Sequence, residues 1–178
     1  MILTIEERKE FFKIWLKLLS FVNDKFDIIK NFGNPKSPIG LNPNDIVKIK
    51  EKLWDNIDII DEYLKHSKLK DKDSHLVCSW KNYIKSNFLI IKELKKYCIF
   101  MDMKKNNLYG VTGISCPLSE MIPFPYMADT VLIPFNGKIV YDSLLIGKNI
   151  SFGSNIKKSF NEQYSKIKRE KGIIVELY

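Results

Sequence analysis

DTVLIPFNGKIVYDS, Asp129 to Ser143, decides how the second half of this chain is read. Asn-Gly between two runs of apolar and β-branched residues is the strongest short-range hairpin signal. With Asn136 and Gly137 as the turn, Phe135 faces Lys138, Ile133 faces Val140, and Val131 faces Asp142. One face then carries Asp129, Val131, Ile133, Phe135, Lys138, Val140 and Asp142. The other carries Thr130, Leu132, Pro134, Ile139, Tyr141 and Ser143. Both faces are apolar near the middle, so the ribbon is expected to be central and covered on two sides. Pro134 cannot donate to a ladder, so its edge is expected to be unpaired or bulged.

Around the hairpin the period stays near two. YCIFMDM and NLYGVTGIS read as strands, with Lys104 to Asn107 as their turn. Ser115 to Ala128 is an apolar loop holding Pro117, Pro123 and Pro125. Ile156, Phe160, Tyr164 and Ile167 recur at helical spacing, which predicts a helix from about Ser154 to Lys171, stopped by Gly172. IIVELY reads as a final strand.

Before Tyr97 the pattern is helical. Thr4 with Glu7 three residues on forms a capping box, and Phe11, Trp15, Leu18, Leu19, Val22, Phe26 and Ile29 carry the stripe to about Phe32. Gly33 is the expected stop. After a loop broken by prolines and glycines, Asn42 caps a second helix with Pro43 at its first position, running to Leu64. A third helix is predicted from Asp73 or Ser74 to Lys96, with Leu76, Val77, Trp80, Ile84, Phe88, Ile91 and Leu94 inward. The expected fold class is therefore α+β. An N-terminal three-helix bundle, residues 1–96, precedes a small mixed antiparallel sheet with one C-terminal helix, residues 97–178.

The blocks TVLIPFNGKIVYDS and ISFGSNIKKSFNEQYSKIKREKGII resemble the C-terminal part of a group of uncharacterised proteins from low-GC bacteria. The resemblance covers roughly residues 97–178. In that group a glycine follows the aspartate of the second strand, where Ser143 stands here. The resemblance implies a fold module and no activity, catalytic site or cofactor.

The 178 residues carry a formal net charge of +8. Its 27 lysines, 25 isoleucines and 14 asparagines follow an AT-rich codon supply, so the distribution of charge says more than its sum. Residues 64–105 carry net +7 and residues 148–171 net +5, while the rest is slightly acidic. On the predicted helices, Lys157 aligns with Lys168, Lys158 with Arg169, Lys81 with Lys92, and Lys85 with Lys96, each pair eleven residues or about three turns apart. Lys95 adds to the second group. Two such faces meeting would neutralise phosphates, and lysine in place of arginine predicts backbone contact rather than base readout.

Other candidates are thinner. Asp129 and Asp142 are diagonal neighbours on one hairpin face, about 7–8 Å apart between backbone positions. That separation would let them share a divalent cation in a metal-dependent nuclease. Against this, each acid serves as a strand-end cap or a lysine partner. His66 and His75 lack metal-ligand spacing, so both are expected to be solvated. Cys78, Cys98 and Cys116 are an odd number at wide spacing, which fits a reducing cytoplasm. No GxSxG, P-loop or GxGxxG occurs, and Ser151 to Ser154 reads as a helix cap.

The expected function is a non-enzymatic cytoplasmic binding protein without cofactor, contacting RNA or DNA through Lys81, Lys85, Lys92, Lys95, Lys96, Lys157, Lys158, Lys168 and Arg169. An alternative partner is another protein, held by Met121, Phe124 and Tyr126 of the apolar loop. No run approaches the ~18 apolar residues of a membrane span, and no signal peptide is visible.

Overall fold

Asn136 and Gly137 turn the chain with φ of 48° and 71°. Two consecutive left-handed residues define the mirror-image turn that matches strand twist. β4 (Tyr126–Phe135) and β5 (Lys138–Tyr141) pair antiparallel in the expected register, Phe135↔Lys138 through Leu132↔Tyr141. Both strands are buried on both faces from Leu132 to Phe135 and from Ile139 to Tyr141. Hydrogen-bonded pairs alternate from the turn-closing pair, so Pro134 directs its missing N–H away from β5. It points to the side where β1 (Ile84–Glu93) has already ended its pairing, at Ile84↔Leu132.

The sheet around this hairpin closes, which overturns the expected small mixed antiparallel sheet. The computed structural model describes residues 1–178. In it β1 pairs with β2 (Cys98–Asp102), β2 with β3 (Asn107–Val111), and β3 with β5, in parallel at Val111↔Ile139. β5 pairs with β4, and β4 returns to β1 over seven residue pairs from Ile84↔Leu132 to Ile90↔Tyr126. The result is a five-stranded barrel, with β6 (Ile146–Gly147) added along β4. Closure removes the free edges an open sheet would expose.

The strand that closes the barrel is the one expected to be helix. Ile84, Phe88 and Ile91 satisfy a helical period, yet Phe88 to Ile91 is a continuous run of four buried residues. Such a run fits a strand covered on both sides as well as it fits a helix. The barrel supplies that cover. Phe88 and Phe100 pack inside, with ring centroids 5.9 Å apart, and Tyr109 meets Phe88 edge-on. Leu89, Ile91, Ile99, Met101 and Leu108 face outward beneath α6 (Ser154–Lys171), whose Tyr164 and Ile167 seal them.

The barrel belongs to one compact unit, Met1–Leu3 with Asn82–Tyr178, and the second unit is Thr4–Lys81. The expected boundary at 96/97 thus moves back to 81/82, because β1 is a strand. Gly172 ends α6 as expected, but IIVELY forms no strand of its own. Ile174 alone bridges in parallel to Tyr109, donating its N–H to Leu108 O at 2.8 Å and accepting that of Gly110 at 2.8 Å.

The helical unit holds four helices rather than a three-helix bundle. α1 (Ile5–Phe26) begins at the Thr4–Glu7 capping box, with both reciprocal bonds present. It stops short of Phe32, because Asp27 turns left-handed at φ 47°. The Asn23 side chain then bonds both the N–H and the carbonyl of Ile29, at 2.8 and 3.1 Å. The expected second helix is split into α2 (Pro43–Asp55) and α3 (Ile59–His66), where the Asn56 amide donates to Lys52 O. α4 (Asp71–Ser79) is all that remains helical of the third. Trp15 sits fully buried at the centre, stacked on Phe11 and Trp54 and edge-on to Trp80.

Candidate functional site

α6 is the long basic element that forms as expected. One of its faces is apolar and seals the barrel wall. Ser154, Lys157, Lys158, Asn161, Glu162, Ser165, Lys166 and Arg169 follow one another at spacings of one and three residues along the opposite face. That stripe carries four cations against one carboxylate, all exposed. None of the four is ion-paired. Lys157 and Lys168 therefore do share an orientation about α6, as do Lys158 and Arg169, because the helix is continuous between them.

The lysine pairs expected on a third helix do not exist as pairs, because the chain there is α4, a turn, and β1. Lys81 lies beyond α4 in the helical unit and bonds Asp61 at 2.7 Å. Lys85 is exposed on β1. Lys95 and Lys96 occupy the exposed turn between β1 and β2. Lys92 is the one that reaches α6, its Nζ standing 4.0 Å from the centroid of the Tyr164 ring. Lys168 approaches the same ring from α6, at 5.9 Å. Sequence reasoning placed Tyr164 only in the core and so missed it as the point where the two basic segments meet.

Two other lysines near the barrel are engaged. Lys148 is ion-paired with Asp129. Lys171 caps the β2–β3 turn, bonding the carbonyls of Lys105 and Asn106 and the Asn107 side chain at 3.0–3.3 Å.

Asp129 and Asp142 have separate partners. Asp129 is held by Lys148 and by the Asn87 amide at 2.7 Å. Burial pulls its carboxyl up, but these two groups outweigh it and leave the pKa below the ordinary value. Asp142 is fully buried, with Oδ1 3.0 Å from the Thr130 hydroxyl. That hydroxyl is also 2.8 Å from Leu144 O. Opposite Thr130 the chain bulges, since Asp142 N–H bonds Val131 O and the next pair is Asp129↔Ile146. The bulge turns at Ser143, with φ 74°. No group of three or more His, Cys, Asp or Glu side chains is arranged to hold a metal ion.

A second buried acid carried no sequence signal. Asp102 ends β2 and accepts the N–H groups of Lys104 and Lys105 at 2.9 and 3.2 Å, which shapes the β2–β3 turn. His66 and His75 each bond the carbonyl four residues back. The chain before α6 caps it with Gly153 and no side chain.

In the proline loop, Met121 is 52% exposed on the short helix α5 (Leu118–Met121). Phe124 and Tyr126 are half-buried, and the Tyr126 hydroxyl lies against the Cα of Gly147. The loop is tied to β1 through Glu93, which accepts the Ser119 N–H and hydroxyl at 3.0 and 2.5 Å. No helix is long and apolar enough to cross a membrane.

Compared with protein families, curated proteins and solved structures, the chain matches none.

Proposed function

We propose that the protein binds nucleic acid through the sugar-phosphate backbone, using the exposed face of α6 with Lys92, Lys95 and Lys96 beside it. One observation carries this reading: four cations of the α6 stripe face solvent without a carboxylate partner, although Glu162 lies among them. A stripe of that kind supplies counterion-releasing contacts to phosphates and little else. Lysine is a point charge without the planar fork that reads guanine, so the binding is indifferent to sequence. Five-stranded barrels that bind oligonucleotides offer the outer face of strands two and three. Here that face is sealed by α6, so the helix itself presents the contact surface.

The test is a titration of labelled single-stranded and duplex oligonucleotides between about 50 and 200 mM salt. The logarithm of affinity is expected to fall linearly with the logarithm of salt. Lys158→Glu with Lys166→Glu is expected to remove most of the binding, while Lys81→Ala, whose ammonium is taken by Asp61, leaves it unchanged. Salt-independent affinity, or none at the lowest salt, overturns the reading.

A further inference from the structure

We infer that Lys92 and Lys168, converging on Tyr164, form a clasp for a single phosphate group. The inference rests on the nucleic-acid reading and names the fixed point at which one backbone phosphate is held.

The geometry begins with a bulge in β1. Leu89 pairs with Met101 and Ile90 with Phe100, but the next pair is Lys92↔Ile99, with Ile91 left over. Without that extra residue, Lys92 would follow Phe88 and Ile90 into the barrel. With it, Lys92 shares the outward face with Ile99 and Leu89 and is aimed at α6. Bulges commonly re-aim one side chain in this way.

The re-aimed ammonium stands over the Tyr164 ring, and the ammonium of Lys168 lies within reach of the same ring. Tyr164 is 6% exposed and packed among Leu89, Ile91 and Ile167, so its position is set by the core. Lys92 is half-buried. Neither lysine has a carboxylate within 4 Å, unlike Lys25, Lys72, Lys81 and Lys148. The ring offsets only part of the cost of bringing two like charges to one side chain. What completes such a site is an oxyanion able to accept from both ammonium groups, as the two non-bridging oxygens of a backbone phosphate can. Lys157, Lys158, Lys166 and Arg169 extend into solvent, whereas Lys92 and Lys168 already stand at the Tyr164 ring.

The test has two arms. In the first, inorganic phosphate is titrated into the whole chain while the lysine Nζ signals are followed by NMR. Lys92 and Lys168 are expected to shift together along one binding curve. If their signals do not move, or move no more than those of Lys104 and Lys105, the clasp is wrong.

In the second arm, Lys92→Met and Lys168→Met are compared with Lys157→Met for oligonucleotide affinity. Methionine keeps the apolar stem, and thermal melts confirm the fold. Each clasp variant is expected to lose about tenfold in affinity. The double variant is expected to lower the salt slope by one phosphate's worth, about 0.7–0.9, rather than by two. Additive losses with a two-phosphate change in slope overturn the shared clasp. If the wild-type chain binds no oligonucleotide while phosphate still moves both lysines, the nucleic-acid reading falls and the clasp stands as a site for small phosphate ligands.

Discussion

The ring face of Tyr97 covers the Cα of Gly110. A methyl group built on that glycine would stand 2.8–3.0 Å from three ring carbons, closer than carbon atoms pack. Gly110 pairs with Ile99, so Tyr97 is its diagonal neighbour across the β2–β3 ladder. The aromatic ring fills the space that a strand glycine leaves empty.

Gly110→Ala is therefore expected to destabilise the protein by about 1–3 kcal/mol, the usual cost of overpacking. The ring atoms in the way are Cγ, Cδ1 and Cδ2, at the inner end of the side chain, which turning the ring moves little. In a Tyr97→Ala background the same change is expected to cost little. Chemical denaturation of the four variants in the cycle gives the coupling; equal costs in both backgrounds would show that the ring is not the obstacle.

Ser143 occupies a left-handed conformation at φ 74°, at the bulge opposite Thr130. That conformation costs a side-chain-bearing residue roughly 1–2 kcal/mol, which glycine avoids. The unfolded chain gains back part of this, about 0.4–1 kcal/mol, through glycine's greater freedom. Ser143→Gly is expected to raise stability by a net of about 0.5 kcal/mol, and Ser143→Val to lower it. A thermal melt in which glycine is the less stable variant would contradict the strain argument.

Glu93 links three parts of the barrel unit. Burial pushes its carboxyl up, but the Ser119 hydroxyl and N–H, with the amino terminus 3.3 Å away, hold the pKa below its ordinary 4.5. The folded state thus binds the proton more weakly than the unfolded state. The stabilisation is present above the unfolded value and is lost as pH falls through the folded one. Glu93→Gln is expected to lower the melting temperature at neutral pH, with the gap to wild type closing as pH falls below the ordinary carboxyl value of 4.5. A gap that stays constant with pH would rule out this linkage.

The three thiols differ by burial. Cys98 is buried, and desolvation, with the charge of Glu93, pushes its pKa to about 12. The thiolate is the reactive form, so this sulfur is inert while the barrel is closed. Cys78 is exposed and Cys116 half-buried. A disulfide-exchange reagent is expected to titrate Cys78 first, Cys116 more slowly, and Cys98 only on unfolding. Immediate reaction of all three would mean that the barrel opens readily.

Much of the local structure was legible because it is written in adjacent residues. The Asn136-Gly137 turn needs only two residues able to adopt positive φ. The Thr4–Glu7 box closes within one helical turn, and α6 carries its apolar stripe and its glycine stop within nineteen residues. The lysine spacing on α6 follows from that helix alone. The site was legible only in part. The clustering of charge pointed to two basic segments, but nothing local announced that a bulge at Ile91 would turn Lys92 toward Tyr164.

By itself, then, the sequence determined the hairpin and its register, the start of α1, and α6 with its basic face, all interactions between neighbours along the chain. Tertiary structure decided that Ile84–Glu93 is a strand, that β1 meets β4 to close a barrel, and that Lys92 and Lys168 share one ring. The physical reason is burial. A run such as Phe88 to Ile91 satisfies helix and strand alike until β4, more than thirty residues away, takes up its backbone hydrogen bonds and the barrel interior and α6 cover its two faces.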